Sequence, residues 1–260
     1  MLEKDGLGSN AGLYGTKRAK DDSVILELSG VSKHFGGLAA VQNVDGKIKK
    51  GEIVGLIGPN GAGKTTLFNL ITGFLRLDSG KIHFEGKEIS HFYPYQISHI
   101  GIARTFQIPK IFNNMTVAEN VLVGALKKSK DIHKNRKRAS ELLDFVNLGG
   151  HADQFPASLT IANRKRLEVC RSLAAQPKLL LLDETIAGLN PRETLDMMEL
   201  ITKISQEGIS LFLIEHVMKF MMNISQRVMV LHHGQKIAEG PPSAIAEDPE
   251  VIEAYLGGKR

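Results

Sequence analysis

The sequence predicts an α/β fold, in which a mainly parallel sheet covered by helices is built around a glycine-rich loop. An antiparallel β region and an inserted helical region accompany that core. Three observations carry the prediction. Residues 58–65 read Gly58-Pro59-Asn60-Gly61-Ala62-Gly63-Lys64-Thr65, which completes the pattern G-x-x-x-x-G-K-S/T. The pattern lies between a short apolar run, Glu52 to Ile57, and a helix-compatible stretch beginning at Thr66. Farther along, apolar strands alternate with helix-sized segments, the mark of a helix-covered parallel sheet.

Taken in order, Val24 to Phe35 and Leu38 to Ile48 are apolar or alternating and are separated by Gly36-Gly37, so they read as an antiparallel pair. A buried strand, the phosphate loop and a helix ending near Gly73 follow, then a short strand from Gly80 to Phe84. From about residue 94 to 165 the character changes. Thr116-Val117-Ala118-Glu119 is a capping box opening an apolar helix through Leu126, and a second helix is expected from about Lys134 to Val146. This stretch reads as a helical subdomain inserted into the core. The core resumes with the strand Leu179 to Leu182, then a helix with Asn190 as N-cap, Pro191 in its first turn and Glu193 completing the box. Ile209 to Ile214 and Val228 to Leu231 are further strands, the latter followed by a turn at His232-His233-Gly234. Asp248-Pro249 starts a last helix through Leu256.

The chain has 260 residues, 42% hydrophobic and 23% charged, with a net charge of +5. That length can bury a full core, and the composition is that of an ordinary soluble protein. The apolar runs are strand-sized, far short of the roughly 20 residues that span a bilayer. Residues 1–22 lack the apolar stretch of a secretory signal and read as a flexible tail. The single cysteine, Cys170, excludes an internal disulfide and reads as a packed thiol. Lys127, Lys128, Lys130, Lys134, Arg136, Lys137 and Arg138 form a basic run without interleaved aromatics. It reads as a solvated helix face, and no nucleic-acid partner is expected. The histidine pair 232–233 has no third ligand nearby in sequence and reads as turn polarity.

The chemistry begins at the loop. Its glycines let backbone N–H groups turn toward phosphate oxygens, and the following helix N-terminus adds partial positive charge. Gly58, Pro59, Asn60, Gly61, Ala62, Gly63 and Thr66 are expected to line the phosphates, and Lys64 to reach the β- and γ-phosphates. The Thr65 hydroxyl suits Mg²⁺. So does Asp183, which ends the strand Leu179-Leu180-Leu181-Leu182; Glu184, next along, is placed to polarise an attacking water.

With those residues in place, the stretch from about Val24 to Leu256 resembles the nucleotide-binding subunit of ABC transporters. The resemblance implies an ABC-type P-loop NTPase, with ATP and Mg²⁺ as cofactors and residues 23–260 as one ATP-binding domain. It implies that Phe35 stacks on adenine, that Gln107 reaches Mg²⁺ and the water and couples to a membrane subunit, and that His216 contacts the γ-phosphate. Arg104-Thr105-Phe106-Gln107, Ala187-Gly188-Leu189-Asn190-Pro191 and Ala254-Tyr255-Leu256-Gly257 look like the branched-chain amino-acid branch, and within it the first of two ATP-binding subunits.

The signature segment Leu-Ser-Gly-Gly-Gln of that family is replaced here by Leu159-Thr160-Ile161-Ala162-Asn163. The resemblance implies that this segment, through Thr160 and Ala162, faces the nucleotide held by the opposite subunit. Thr160 remains a competent N-cap, and Ala162 adds one methyl. Ile161 is the larger change, since a β-branched side chain does not readily take the φ values open to glycine. Two readings stand: the helix N-terminus still serves and the site hydrolyses ATP, or the partner's signature carries turnover. Thr185 replaces a usual proline after the glutamate, and Asn190 replaces a common aspartate.

The expected function is that of a peripheral ATPase on the cytoplasmic face of the membrane. It would dock on permease subunits, pair with a second ATP-binding subunit and be served indirectly by an extracytoplasmic solute-binding protein. Another cargo, such as urea or lipopolysaccharide, is the alternative, and a nucleic-acid-associated ATPase is the rival from another class.

Overall fold

In the computed structural model, residues 22–126 and 131–256 are described. The expected tail up to residue 21, Gly257, and Lys127, Lys128 and Lys130 of the basic run lie outside them.

The chain opens with two long strands, β1 (Val24–Phe35) and β2 (Leu38–Lys49), paired antiparallel from Val24↔Lys49 to Phe35↔Leu38 across the Gly36-Gly37 turn. β3 (Ile53–Ile57) runs into the loop and α1 (Lys64–Ile71). There follow β4 (Ser79–Phe84), β5 (Lys87–Glu88), α2 (Pro94–Ile100) and β6 (Ile102–Arg104). α3 (Val117–Ala125), α4 (Ile132–Phe145) and α5 (Ile161–Ala174) come next. The remainder is β7 (Leu179–Asp183), α6 (Pro191–Gln206), β8 (Ser210–Ile214), α7 (Met218–Ile224), β9 (Arg227–His232), β10 (Gln235–Gly240), α8 (Pro242–Glu247) and α9 (Pro249–Leu256).

Two sheets result. One is antiparallel, in the order β2-β1-β4-β5. The other has the order β10-β9-β3-β8-β7-β6, parallel except for the β9–β10 hairpin. The central strands β3, β7 and β8 are buried throughout, and apolar but for the terminal Asp183 and Ser210, because both faces are covered. In β7, Leu180 and Leu182 join the cluster under α3 to α7, whereas Leu179 and Leu181 join the one containing α1 and the antiparallel sheet. β8 divides likewise, Leu211 and Leu213 against Phe212 and Ile214, and Phe212 packs on Phe68 with ring centroids 5.0 Å apart.

Helix starts follow the expected caps. Thr116 Oγ1 accepts from the Glu119 amide while Glu119 returns to the Thr116 amide, and Asn190 and Glu193 repeat the exchange at α6. α4 starts two residues earlier than expected, because the Asp131 carboxylate accepts from the amides of His133 and Lys134. β6 falls within the stretch expected to be helical. Its three residues pair with Leu179–Leu181 and place the next residues, 105–107, beside the end of β7. In the basic run, Lys134, Arg136 and Lys137 are exposed on α4, and Cys170 is buried in α5. No helix among the described residues is long and apolar enough to cross a membrane.

Candidate nucleotide site

β3 is the middle of the parallel sheet, so the loop that leaves it emerges where β8 and β7 also end. The strands therefore deliver Lys64, Asp183 and Glu184 to one edge of the sheet, and the segment after β8 brings His216. The loop itself is compact. Gly63 has φ 103°, and a Cβ there would meet the Ala40 carbonyl oxygen at 2.3 Å; a Cβ on Gly58 would meet that of Leu231 at 2.1 Å. Both positions need glycine because neighbouring backbone lies against them.

A cavity of about 500 Å³ opens above this loop. Asn60, Gly61, Ala62, Gly63, Lys64, Thr65 and Thr66 form its floor, Gln107, Glu184 and His216 one wall, and half-exposed Phe35 with Leu38 the rim. α1 starts at that floor with no side-chain cap and no acidic residue in its first turn, so its leading amides face the cavity. Uncapped N–H groups and a buried ammonium make an anion site of the size a phosphate chain needs. Lys64 Nζ donates to the carbonyls of Gly58 (2.7 Å) and Pro59 (3.0 Å), which gives those two residues their place in the site. Burial lowers the Lys64 pKa, while Glu184 and Asp183 pull it back up.

Of the three residues expected at the γ-phosphate, Glu184 contacts both Gln107 and His216. Glu184 Oε2 accepts from Gln107 Nε2 at 2.7 Å, and Oε1 lies 2.7 Å from His216 Nε2, a bond an ionised carboxylate can only accept. Glu184 has φ 51°, the left-handed region, at a cost of about 1–2 kcal/mol for a residue with a side chain. Asp183 sits behind it, its side chain 3% exposed. It accepts from Arg104 Nη2 at 3.0 Å, and its own amide donates to Thr105 Oγ1. Burial raises the Asp183 pKa, and Arg104 opposes that shift. Arg104 also donates to Asn69 and Thr72 and lies over the Phe106 ring at 4.6 Å.

Among the described residues no group of three His, Cys, Asp or Glu side chains could hold a metal. The donors on hand, the Thr65 hydroxyl, the Gln107 amide and one carboxylate, fit an ion that keeps most of its ligands as water and phosphate oxygens, as Mg²⁺ does.

Thr160 and Ala162 are not brought to this cavity. Thr160 caps α5, accepting from the Asn163 amide, and Ala162 is buried in its first turn. Ile161 occupies the first position of α5 and is absent from the residues with positive φ, so the strain expected for a β-branched residue does not arise; its side chain is 60% exposed. In the sequence Arg104 and Thr105 stand only as part of a family-like phrase and Thr185 only as a departure from the family. No role in the site is read there for them or for Lys165 and Glu215, yet Lys165, Thr185 and Glu215 pack behind Glu184. Tyr255, quoted in the sequence only within a family-like phrase, brings its hydroxyl to the Gly58 amide. Each is an ordinary residue type, and its partner in the site lies far along the chain, so no local pattern states its role.

A phosphate loop on a β-strand, two strand-end carboxylates and a glutamine and histidine closing on one of them define an ATP-binding cassette of the P-loop class. The family described as ABC transporter matches residues 41–187, more than half of the chain, and the chain belongs to that family. The family described as branched-chain amino acid ATP-binding cassette transporter matches residues 235–260. The high-affinity branched-chain amino acid transport ATP-binding protein BraF of Pseudomonas aeruginosa is 40% identical over 249 residues, covering 90% of this chain and 98% of that protein. The high-affinity branched-chain amino acid transport ATP-binding protein LivG of Escherichia coli is 39% identical over 249 residues, with the same coverage. Among solved structures, an ATP-binding cassette of an ABC transporter in its ADP conformation superposes with a TM-score of 0.83 at 33% identity, covering 90% of this chain and 99% of that one. A dimeric cassette in a post-hydrolysis state with ADP and phosphate gives a TM-score of 0.77 at 25% identity, covering 84% and 99%.

Proposed function

We propose that this chain is the ATP-hydrolysing subunit of an importer for branched-chain amino acids, acting at the cytoplasmic face of the membrane. The single observation that carries the hydrolytic reading is the Gln107–Glu184–His216 constellation on the wall of the loop cavity. The cargo rests on the likeness to BraF and LivG and on the match at residues 235–260.

Lys64 and the loop amides hold the phosphate chain of ATP, and Phe35 at the rim takes the adenine. Thr65, Asp183 and Gln107 would hold Mg²⁺, which when bound would neutralise charge on the phosphates. Glu184 orients a water against the γ-phosphorus and receives its proton as the bond to the β–γ bridging oxygen breaks, leaving ADP and phosphate. Its two oxygens have lone pairs beyond those facing Gln107 and His216, so it can accept from water without giving up its orientation. Catalysis of this kind is positioning and electrostatics.

The cavity is open above the loop, and Thr160 and Ala162 of the same chain lie elsewhere. A second ATP-binding subunit therefore supplies the cover, through its own helix N-terminus, and the permease subunits dock outside. A separate groove of about 310 Å³ suits that docking: exposed Phe74 and Val123 and half-buried Phe106 line it, beside Arg104. The extracytoplasmic solute-binding protein acts only through the permease.

The test is Glu184→Gln in the assembled transporter. ATP binding is expected to persist while turnover falls by at least about 10²-fold and a nucleotide-bound dimer accumulates. Turnover at the wild-type rate would remove Glu184 from this role.

A further inference from the structure

We propose that Lys165 is a positioning residue that fixes the backbone of Glu184, while the buried Glu215 holds the two residues that follow it. The inference rests on the reading of Glu184 as the group that orients water. Lys165 projects from the second turn of α5, only 6% exposed, and its Nζ donates to the Glu184 carbonyl oxygen at 2.6 Å. It does not line the nucleotide cavity, so its charge is not placed for a phosphate.

Glu184 is a residue with a side chain in the left-handed region, and such a conformation persists only where its surroundings fix it. Its amide donates to the Ile214 carbonyl at 2.9 Å, and its carbonyl accepts from Lys165. The residue is thereby tied to β8 on one side and to α5 on the other. The next two residues are held by Glu215, 2% exposed, whose Oε1 accepts from Thr185 Oγ1 at 3.0 Å and from the Ile186 amide at 3.1 Å. Among the charges that sustain the buried Lys165 ammonium, Glu215 stands first and Glu184 second. Residues 184–186 are thus pinned at three successive points by two groups that touch no nucleotide. A charge-assisted bond to a backbone carbonyl sets the direction in which the Glu184 side chain leaves the chain. That direction brings its oxygens within 2.7 Å of both Gln107 and His216.

The experiment compares steady-state hydrolysis by the assembled transporter carrying Lys165→Met, Lys165→Arg and the pair Lys165→Met/Glu215→Gln, with Glu184→Gln as reference. In the pair both charges are gone, while the glutamine amide oxygen still accepts from Thr185 and Ile186, so the fold keeps its bonds where Lys165→Met alone would strand a buried carboxylate. Lys165→Met and the pair are expected to lower kcat on the order of 10²-fold with the KM for ATP within about threefold of wild type, and Lys165→Arg to recover most of the loss. Adding Lys165→Met to Glu184→Gln is expected to cost nothing more. A kcat within about threefold of wild type in the pair, or a loss confined to ATP affinity, overturns the proposal while Glu184→Gln remains inactive. Wild-type turnover in Glu184→Gln would instead sink the underlying reading, so the two failures are told apart.

Discussion

Burial lifts the Glu215 carboxyl from its ordinary 4.5 to about 7, against the pull of the Ile186 amide, the Thr185 hydroxyl and the Lys165 ammonium. A carboxyl that holds its proton more tightly when folded stabilises the fold fully below its unfolded value. That contribution declines as pH rises from about 4.5 and is gone above about 7, amounting to about 3 kcal/mol at most. Glu215→Gln cannot ionise. Relative to this variant, the wild type is expected to lose about 1–3 kcal/mol between pH 5 and pH 8, as urea unfolding at the two values would measure. Parallel profiles would mean that Glu215 ionises as freely folded as unfolded. At this scale the sequence was legible only where chemistry is local. The loop residues 58–66 could be read directly, and Asp183 and Glu184 could be read from their place at a strand end. Lys165 and Glu215 lie on α5 and just after β8, and both reach the segment 184–186, Glu215 because the sheet order puts β8 against β7.

At the scale of elements, Ile161 separates a local expectation from the conformation found. In sequence the segment Leu159–Asn163 stands where glycines are usual, and a β-branched residue there predicts strain at Ile161. Thr160, extended at φ −62° and ψ 164°, already completes the cap, so residue 161 begins the helix with ordinary helical geometry. Ile161→Gly is therefore expected to destabilise the protein by up to about 1 kcal/mol, since it relieves nothing and adds freedom to the unfolded chain. A gain in thermal stability would show that strain is present after all. Long elements with caps or strict periodicity, such as α3, α6 and β1–β2, were readable from sequence. β5 with two residues and β6 with three carry too little pattern to be recognised, and β10, with its partly exposed QKIAEG, reads like any polar loop. Their places come from neighbours: β6 from β7, β5 from β4 and β10 from β9.

Across the whole molecule, Arg104 joins two faces that would otherwise be independent. One end of its guanidinium holds Asp183, buried beneath the nucleotide cavity; its plane lies over Phe106, which lines the outer groove with Phe74 and Val123. A partner seated in that groove would displace water from exposed aromatic surface and press on the side chain that steadies the carboxylate, so that binding outside and chemistry inside would share one link. Phe74 offers the cleanest separation of the two, because it is more than half exposed and does not line the nucleotide cavity. Phe74→Glu puts a charge into an apolar contact, and a buried unpaired carboxylate is among the most disruptive changes an interface can receive. Association with the permease subunits is expected to weaken by about tenfold or more, equivalent to about 1.4 kcal/mol, with ATP affinity unchanged. Titrating detergent-solubilised permease with wild-type and variant chains, alongside nucleotide binding to each, would measure both quantities. Equal affinity for the permease would move the docking face elsewhere on the molecule, whereas a parallel loss of ATP binding would mean that the substitution had reached Arg104 and Asp183 rather than the groove alone.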